Sequence, residues 1–134
     1  MKRILIDTNA YSKLFLGSQQ IVDILSMTDE VYLSVIVLGE LYTGFRGGSK
    51  YEKNIKALKG FLDDPIIKVL RVSEDAAEIF GEIKHYLRVK GKPIPINDIW
   101  IAAQSIETGS LLLSYDEHFK EIPQVRLWSW EKNE

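Results

Sequence analysis

The chain has 134 residues, 17 Lys and Arg against 19 Asp and Glu, and a formal net charge of -2 at pH 7. This length is sufficient for one folded domain whose hydrophobic core needs no disulfide or structural metal. Because the sequence contains no cysteine, thiol catalysis and cysteine-bound zinc are excluded, and a reducing cytoplasm is the expected location. The charge balance excludes nucleic-acid binding that depends on a broad basic excess, so any polyanion would bind locally.

The first residues do not have the pattern of a targeting signal. Met1-Lys2-Arg3 leads directly into the strand-like segment Ile4-Leu5-Ile6, and no apolar run is long enough to span a bilayer. We therefore expect a soluble protein without a membrane partner.

Short apolar runs, often rich in β-branched residues, alternate along the chain with longer segments of helical periodicity. This alternation predicts an α/β domain with a mainly parallel sheet. In chain order, the predicted strands are Arg3–Asp7, Val31–Ser34, Ile66–Val72, Leu111–Ser114 and Val125–Trp128. The predicted helices are Asn9–Leu16, Gln19–Met27, Val35–Phe45, Tyr51–Leu62, Glu74–Val89 and Asp98–Thr108.

Residues at the predicted boundaries support this division. Ser73 precedes two acidic residues and is a predicted N-cap, while Gly109 is a predicted left-handed C-cap. Asn97 could cap the helix that carries Asp98. The glycine-rich and proline-rich turns are too short to divide the chain, so residues 1–134 are predicted to form a single domain.

Four acidic residues stand in apolar surroundings, unlike most of the others. Asp7 and Asp116 follow predicted strands, and the carboxyl ends of parallel strands open on one side of a sheet, where a crevice forms. Glu40 lies within an apolar helix and Asp98 begins another, and a carboxylate buried there without a partner would cost several kcal/mol. Each acid alone could be a turn residue, a first-turn acid or a partner of Arg46. Their joint placement at one end of a sheet favours a shared site.

Four carboxylates in one pocket repel one another unless their pKa values rise or a cation neutralises them. Oxygen ligands of this kind suit Mg²⁺ or Mn²⁺. Such ions activate water and stabilise the charge of a phosphodiester under in-line attack. The sequence therefore predicts a divalent metal in the pocket that these four acids share, which gives Asp98 a reason to stand at the head of an apolar helix.

The segments around these acids, L-I-D-T-N, L-G-E-L-Y-T-G, I-N-D-I-W-I-A-A and L-L-S-Y-D-E-H-F, resemble in order and spacing the four motifs of PIN domains, specifically the small VapC-type toxins. The resemblance covers nearly the whole chain. It implies a three-layer α/β/α fold with a mainly parallel sheet of four or five strands, and a Mg²⁺- or Mn²⁺-dependent endoribonuclease. It also implies the toxin of a VapBC toxin-antitoxin pair, which forms a homodimer and is silenced by a VapB-type antitoxin.

The resemblance assigns roles to particular residues. It makes Asp7, Glu40, Asp98 and Asp116 the catalytic and metal-binding quartet, around a metal that activates water to leave a 5'-phosphate and a 3'-hydroxyl. It leaves open which acid is a ligand and which orients the water. Residues that would orient the acids or the water are Thr8, Asn9 and Ser114. Ser114 departs from the threonine often found at that place but keeps the hydroxyl.

A basic run precedes Asp98 and supplies the candidates for RNA contact, which are Arg88, Lys90 and Lys92. These cations could bind RNA phosphates. They could equally form an ordinary solvated face.

Other functions fit the sequence less well. A metal-independent ribonuclease would use His85 and His118 as acid and base, but this leaves the four carboxylates unexplained. A haloacid-dehalogenase-type phosphatase would have a second acid where this chain has Asn9. A phospho-receiver domain would have an acceptor aspartate after the third strand, where Ser73 stands. The remaining alternative is a non-catalytic PIN-fold module that binds RNA or protein.

Overall fold

The computed structural model describes residues 3–128, so Met1, Lys2 and residues 129–134 of the predicted domain lie outside the described residues. The strands are β1 Arg3–Ile6, β2 Glu30–Ser34, β3 Ile67–Leu70 and β4 Leu111–Leu113. The helices are α1 Thr8–Phe15, α2 Gln19–Ser26, α3 Val35–Gly47, α4 Tyr51–Leu62, α5 Glu74–Lys90 and α6 Ile96–Thr108. A short 3₁₀ helix, Glu117–Glu121, follows β4.

The four strands form one parallel sheet in the order β3-β2-β1-β4. Successive side chains of a strand point to opposite faces, and Ile4, Leu5 and Ile6 of β1 are all fully buried. Both faces of the sheet are therefore covered, as is usual when helices connect parallel strands. This arrangement confirms the predicted α/β/α fold with a parallel sheet of four strands.

The predicted fifth strand, Val125–Trp128, is wrong as a strand. In the described part of the chain it forms one isolated parallel bridge, between Leu112 and Leu127. The amide of Leu112 donates to the Arg126 carbonyl at 2.8 Å, and the amide of Trp128 donates to the Leu112 carbonyl at 2.9 Å. The segment follows a turn at residues 123–124, and it meets β4 at the single bridge position Leu127, whereas β4 pairs with β1 at all three of its residues.

Local side-chain chemistry begins and ends several helices as predicted. Ser73 accepts a hydrogen bond from the Ala76 amide at 3.0 Å and caps α5. Gly109 ends α6 in the left-handed region, with φ of 66°, which glycine adopts without strain.

The start of α6 differs from the prediction. Pro95 occupies the N-cap position and α6 begins at Ile96, so Asn97 is an exposed residue inside the first turn and not the cap. Pro95 cannot continue a helix upstream, and its restricted backbone prepares the first turn. No side chain caps this helix, so Asp98 lies in a first turn whose amides favour negative charge.

The register of the sheet gathers three polar residues at one edge. Ile6 of β1 pairs with Leu33 of β2 on one side and with Leu113 of β4 on the other. The residues that follow these three, Asp7, Ser34 and Ser114, are all buried at the carboxyl edge of the sheet, where Ser34 is the last residue of β2 and the other two come directly after β1 and β4. No helix in residues 3–128 is long and apolar enough to cross a membrane.

Candidate active site

Asp7 is both a helix cap and a buried charge. Its side chain is only 4% exposed, and its Oδ1 accepts a hydrogen bond from the Ala10 amide at 2.9 Å, which begins α1. Burial raises the pKa of Asp7, the hydrogen bonds from Ser114 and Ala10 oppose the rise, and the charges of Asp116 and Glu40 add to it. Asp7 therefore caps α1, a role that the sequence did not indicate, and it also belongs to a group of mutually repelling carboxylates.

Ser114 connects two of the acids through one hydroxyl. Its Oγ donates to Oδ2 of Asp7 and accepts a hydrogen bond from the backbone amide of Asp116 at 2.9 Å. A hydroxyl can do both at once because it carries one donor and two acceptor lone pairs. Ser114 thus positions the carboxylate of Asp7, which follows β1, and the backbone at Asp116, which follows β4.

Thr8 positions Glu40 in a similar way. The Thr8 hydroxyl, in the first turn of α1, donates to Oε1 of Glu40 at 2.7 Å. Glu40 is half-buried on α3, and the described residues include no ion pair between it and Arg46. The Arg46 guanidinium instead lies 4.9 Å from the centre of the Tyr51 ring. Asn9 is exposed and makes no hydrogen bond to the acids within residues 3–128.

Asp98 and Asp116 approach each other from α6 and from the start of the 3₁₀ helix. Their side chains are 15% and 30% exposed. Burial first, and then the charge of Asp116, raise the pKa of Asp98 to about 6, with smaller contributions from Glu40 and Asp7 and an opposing one from His118. All four predicted acids are therefore close enough for their charges to interact.

The structure adds His118 to the site. In the sequence this residue was considered only as an acid or base of a metal-independent ribonuclease. Its Nε2 lies 3.2 Å from Oδ1 of Asp116 and 4.0 Å from Oδ2 of Asp98. The one feature of the sequence that could have indicated this contact is that His118 comes two residues after Asp116. That spacing brings the two side chains together only because the chain turns into a 3₁₀ helix there.

The side chains at this edge fit a hard divalent cation. Asp98, Asp116 and His118 each offer one ligand atom, and these atoms all lie within 4.8 Å of one another. Asp7 and Glu40 add further negative charge from β1 and α3. Carboxylate oxygens are the ligands that Mg²⁺ and Mn²⁺ prefer, and bound charge of the opposite sign relieves the repulsion that raises the carboxyl pKa values.

The three basic residues predicted to contact RNA differ in whether the structure shows them in an ion pair. Lys90 Nζ lies 3.1 Å from Oε2 of Glu121, and 5.5 Å from the centre of the Tyr86 ring. This ion pair connects the end of α5 to the 3₁₀ helix. Arg88 and Lys92 are exposed.

A cavity of about 280 Å³ lies between the end of α5 and the start of α6. Its basic lining residues are Lys84 and Arg88, and its apolar wall includes Leu87, Ile94 and Ile99. Ile99 directly follows Asp98 on α6, but none of the four acids is among the residues that line the cavity.

The fold and the site define a class of protein: an α/β domain with a parallel sheet and a group of acids at the carboxyl edge of that sheet. The model of the PIN domain family matches residues 4–125. The chain belongs to the PIN domain family.

Individual relatives and structures agree with this assignment. The chain is 32% identical over 111 residues to Ribonuclease VapC2 of Rickettsia felis, covering 82% of this chain and 81% of that protein. It is 30% identical to Ribonuclease VapC2 of Haemophilus influenzae, covering 97% of this chain and 99% of that protein. Its fold matches a chain in the crystal structure of DNA-bound VapBC from Salmonella typhimurium with a TM-score of 0.87 and 26% identity, covering 97% of this chain and 99% of that one.

Proposed function

We propose that this protein is a divalent-metal-dependent endoribonuclease and the toxin component of a VapBC-type toxin-antitoxin pair. The observation that carries the proposal is the convergence of side chains at the carboxyl edge of the sheet, where ligand atoms of Asp98, Asp116 and His118 all lie within 4.8 Å of one another. Burial and the charges of the neighbouring acids also raise the pKa of Asp98. A folded protein tolerates such repulsion where a cation relieves it. Relatives named Ribonuclease VapC support the same activity.

In this proposal Asp7, Glu40, Asp98 and Asp116 hold Mg²⁺ or Mn²⁺. The bound ion supplies activation of water and stabilisation of the phosphodiester charge during in-line attack. The protein contributes orientation, because Ser114 restrains Asp7 and Thr8 restrains Glu40. Partial burial of Asp98 and Asp116 excludes bulk water and strengthens electrostatic interactions in the site. The expected products are a 5'-phosphate and a 3'-hydroxyl.

The RNA strand is proposed to approach over the end of α5. Arg88 and Lys84 line the cavity whose wall includes Ile99, the residue after Asp98, and exposed Lys92 extends the same basic segment. Phosphates bound there would place a flanking nucleotide next to the acids. Lys90 is assigned a smaller part in RNA binding, because its ammonium group is engaged by Glu121.

A VapB-type antitoxin is the proposed partner, and the active form is proposed to be a homodimer. The likeness to a chain of the VapBC complex from Salmonella typhimurium supports the first part. Co-expression with a cognate antitoxin, followed by light scattering of the complex and of the freed protein, would measure both stoichiometries.

The decisive experiment uses purified protein free of antitoxin. Structured RNA is incubated with the wild type in Mg²⁺, Mn²⁺ or EDTA, and the fragment ends are identified. Asp98→Asn and Asp7→Asn keep the side-chain volume but remove charge from the site, while Asp29→Asn is the control because Asp29 is an exposed aspartate outside the site.

We expect discrete metal-dependent cuts with 5'-phosphates from the wild type and from Asp29→Asn. Both site variants should lose cleavage. Cuts that persist in EDTA and end in cyclic phosphates would transfer the chemistry to the histidines. Tight RNA binding without any cleavage would favour a non-catalytic PIN-fold module.

A further inference from the structure

His118 contacts the acidic group, but the proposed function gives it no part. It lies in the 3₁₀ helix, two residues after Asp116, and its side chain is 44% exposed. The other histidine of the chain, His85, is exposed on α5. The two residues therefore provide a matched pair of which one lies in the site.

The distances around His118 suit a shared ion. An octahedral ion with ligand bonds of about 2.1 Å holds adjacent ligand atoms about 3 Å apart. The 3.2 Å between Nε2 of His118 and Oδ1 of Asp116 is close to this separation. Oδ2 of Asp98 lies 4.0 Å from the same nitrogen. Because Asp116 and His118 lie in one turn of chain, the backbone itself maintains their approach.

We propose that His118 binds the divalent cation of the site through Nε2, beside Asp98 and Asp116. The inference rests on the proposed function for the metal site and adds a nitrogen ligand to it. An imidazole nitrogen is a softer ligand than a carboxylate oxygen and suits first-row transition ions, whereas Mg²⁺ prefers oxygen and keeps its waters. His118 therefore biases the site toward Mn²⁺ over Mg²⁺.

A different role would place His118 as a positively charged partner of the two carboxylates in the metal-free protein. The two roles have opposite consequences for metal binding. Removing a ligand weakens binding of the ion. Removing a competing positive charge strengthens it, because the carboxylates then attract the ion without opposition. The direction of the change in affinity therefore distinguishes the roles.

The test measures Mn²⁺ binding to the purified full chain by electron paramagnetic resonance, for the wild type, His118→Ala, His118→Gln and the control His85→Gln. Loss of even an outer hydrogen-bond partner of a metal site costs about 10- to 100-fold in affinity. We expect His118→Ala to bind Mn²⁺ at least about tenfold more weakly, with a smaller change for Mg²⁺ measured by competition. Circular dichroism confirms that each variant is folded.

A second readout reports the ligand directly. Pulsed resonance should detect nitrogen coupled to bound Mn²⁺ in the wild type and in His85→Gln, and no such coupling in either His118 variant. Unchanged or tighter Mn²⁺ binding in both His118 variants would overturn the inference. Binding that requires Asp98 but not His118 would remove the inference and leave the proposed function intact. A wild type that binds no Mn²⁺ or Mg²⁺ would remove both.

Discussion

The hydroxyl of Ser114 restrains two parts of the site that are far apart in sequence. It donates to Asp7 and accepts from the amide of Asp116. Ser114→Ala would leave a buried carboxylate oxygen and a backbone amide without this partner, and outer hydrogen-bond partners of metal sites are worth about 10- to 100-fold in affinity or activity. We expect Ser114→Ala to reduce Mn²⁺ affinity and RNA cleavage by that order.

Ser114→Thr is the matched control, since threonine retains the hydroxyl. It should keep most of the affinity for Mn²⁺, measured by calorimetry on both variants. Equal losses in the alanine and threonine variants would mean that packing at this buried position, and not the hydrogen bonds, determines the effect.

The raised pKa of Asp98 makes the stability of the metal-free protein depend on pH. The carboxyl has a pKa of about 6 in the folded chain against 3.8 as the ordinary value, so the folded state holds this proton more tightly than the unfolded state. Its contribution to stability is complete below about pH 4 and is lost as pH rises through about 6. We expect the free energy of unfolding of Asp98→Asn to rise relative to wild type over this interval, by about 3 kcal/mol.

Urea denaturation in EDTA at several pH values measures this difference. Mn²⁺ added at neutral pH should stabilise the wild type more than the variant, because binding to the folded state alone shifts the unfolding equilibrium. The exposed-site control Asp29→Asn should follow the wild type. A difference between wild type and Asp98→Asn that does not change with pH would contradict the assigned environment of Asp98.

At the residue scale, the sequence predicted the acids better than their companions. Asp7, Glu40, Asp98 and Asp116 were recognisable because a carboxylate in an apolar segment requires a reason. The contact of His118 depends on the local turn after Asp116, which periodicity does not reveal. The ion pair of Lys90 could not be predicted either, because its partner, Glu121, lies 31 positions further along the chain.

At the element scale, prediction succeeded where local chemistry determines the boundary. Helix α4 has the predicted limits, Tyr51–Leu62, and Ser73 begins α5 as expected. It failed at α6, where Pro95 displaced Asn97 from the cap. It also failed for Val125–Trp128, because the path of the chain after the turn at residues 123–124 brings one residue, Leu127, into register with β4, and strand propensity does not reveal that path.

The two glycines Gly109 and Gly60 should respond oppositely to alanine. Gly109 has φ of 66° at the end of α6, where a side chain is strained by about 1 kcal/mol even though no atom lies within 4 Å of the added carbon. Gly60 lies inside α4 with equally open space, and alanine is the better helix former by about 0.8–1 kcal/mol. We expect Gly109→Ala to lower the free energy of unfolding and Gly60→Ala to raise it.

Urea denaturation measures both changes, and RNA cleavage serves as the second readout. Gly109 lies about 16 Å along α6 from Asp98, from the rise per helical residue, so cleavage by the folded variant should equal that of the wild type. Stabilisation by Gly109→Ala would show that the left-handed turn is not maintained in solution.

At the scale of the whole molecule, we expect charge to make RNA binding depend on the metal. The chain carries a net charge of -2, and its acidic group lies beside the proposed RNA path. Without a cation these acids repel phosphate. We expect RNA affinity to be weak in EDTA and to increase at least about tenfold with Ca²⁺, which keeps the charge but relaxes the coordination geometry. Fluorescence anisotropy with labelled RNA measures the change. Equal affinity in EDTA and in Ca²⁺ would show that the charge of the acidic group does not affect RNA binding.

The cavity lined by Lys84 and Arg88 provides a second prediction at this scale. Lys84→Gln combined with Arg88→Gln should weaken RNA binding and reduce the salt dependence of log K by about 1.4, the value for two phosphates of a single strand. Lys53→Gln combined with Lys56→Gln is the control of equal charge, because both lysines are exposed on α4. A larger effect of the α4 pair in the same anisotropy titration would relocate the RNA path to α4.

The central place of β1 in the sheet has a consequence for synthesis of the protein. This strand is made early, yet its partner β4 and the hydroxyl that restrains Asp7 come from a segment 107 positions later. Local helices can form while the chain leaves the ribosome, but contacts across this separation cannot, and such distant contacts also slow folding. A nascent chain that has not reached Asp116 has no complete acidic group. A translation product that stops before Asp116 therefore lacks part of the acidic group that is proposed as the nuclease site, and it should not cleave RNA.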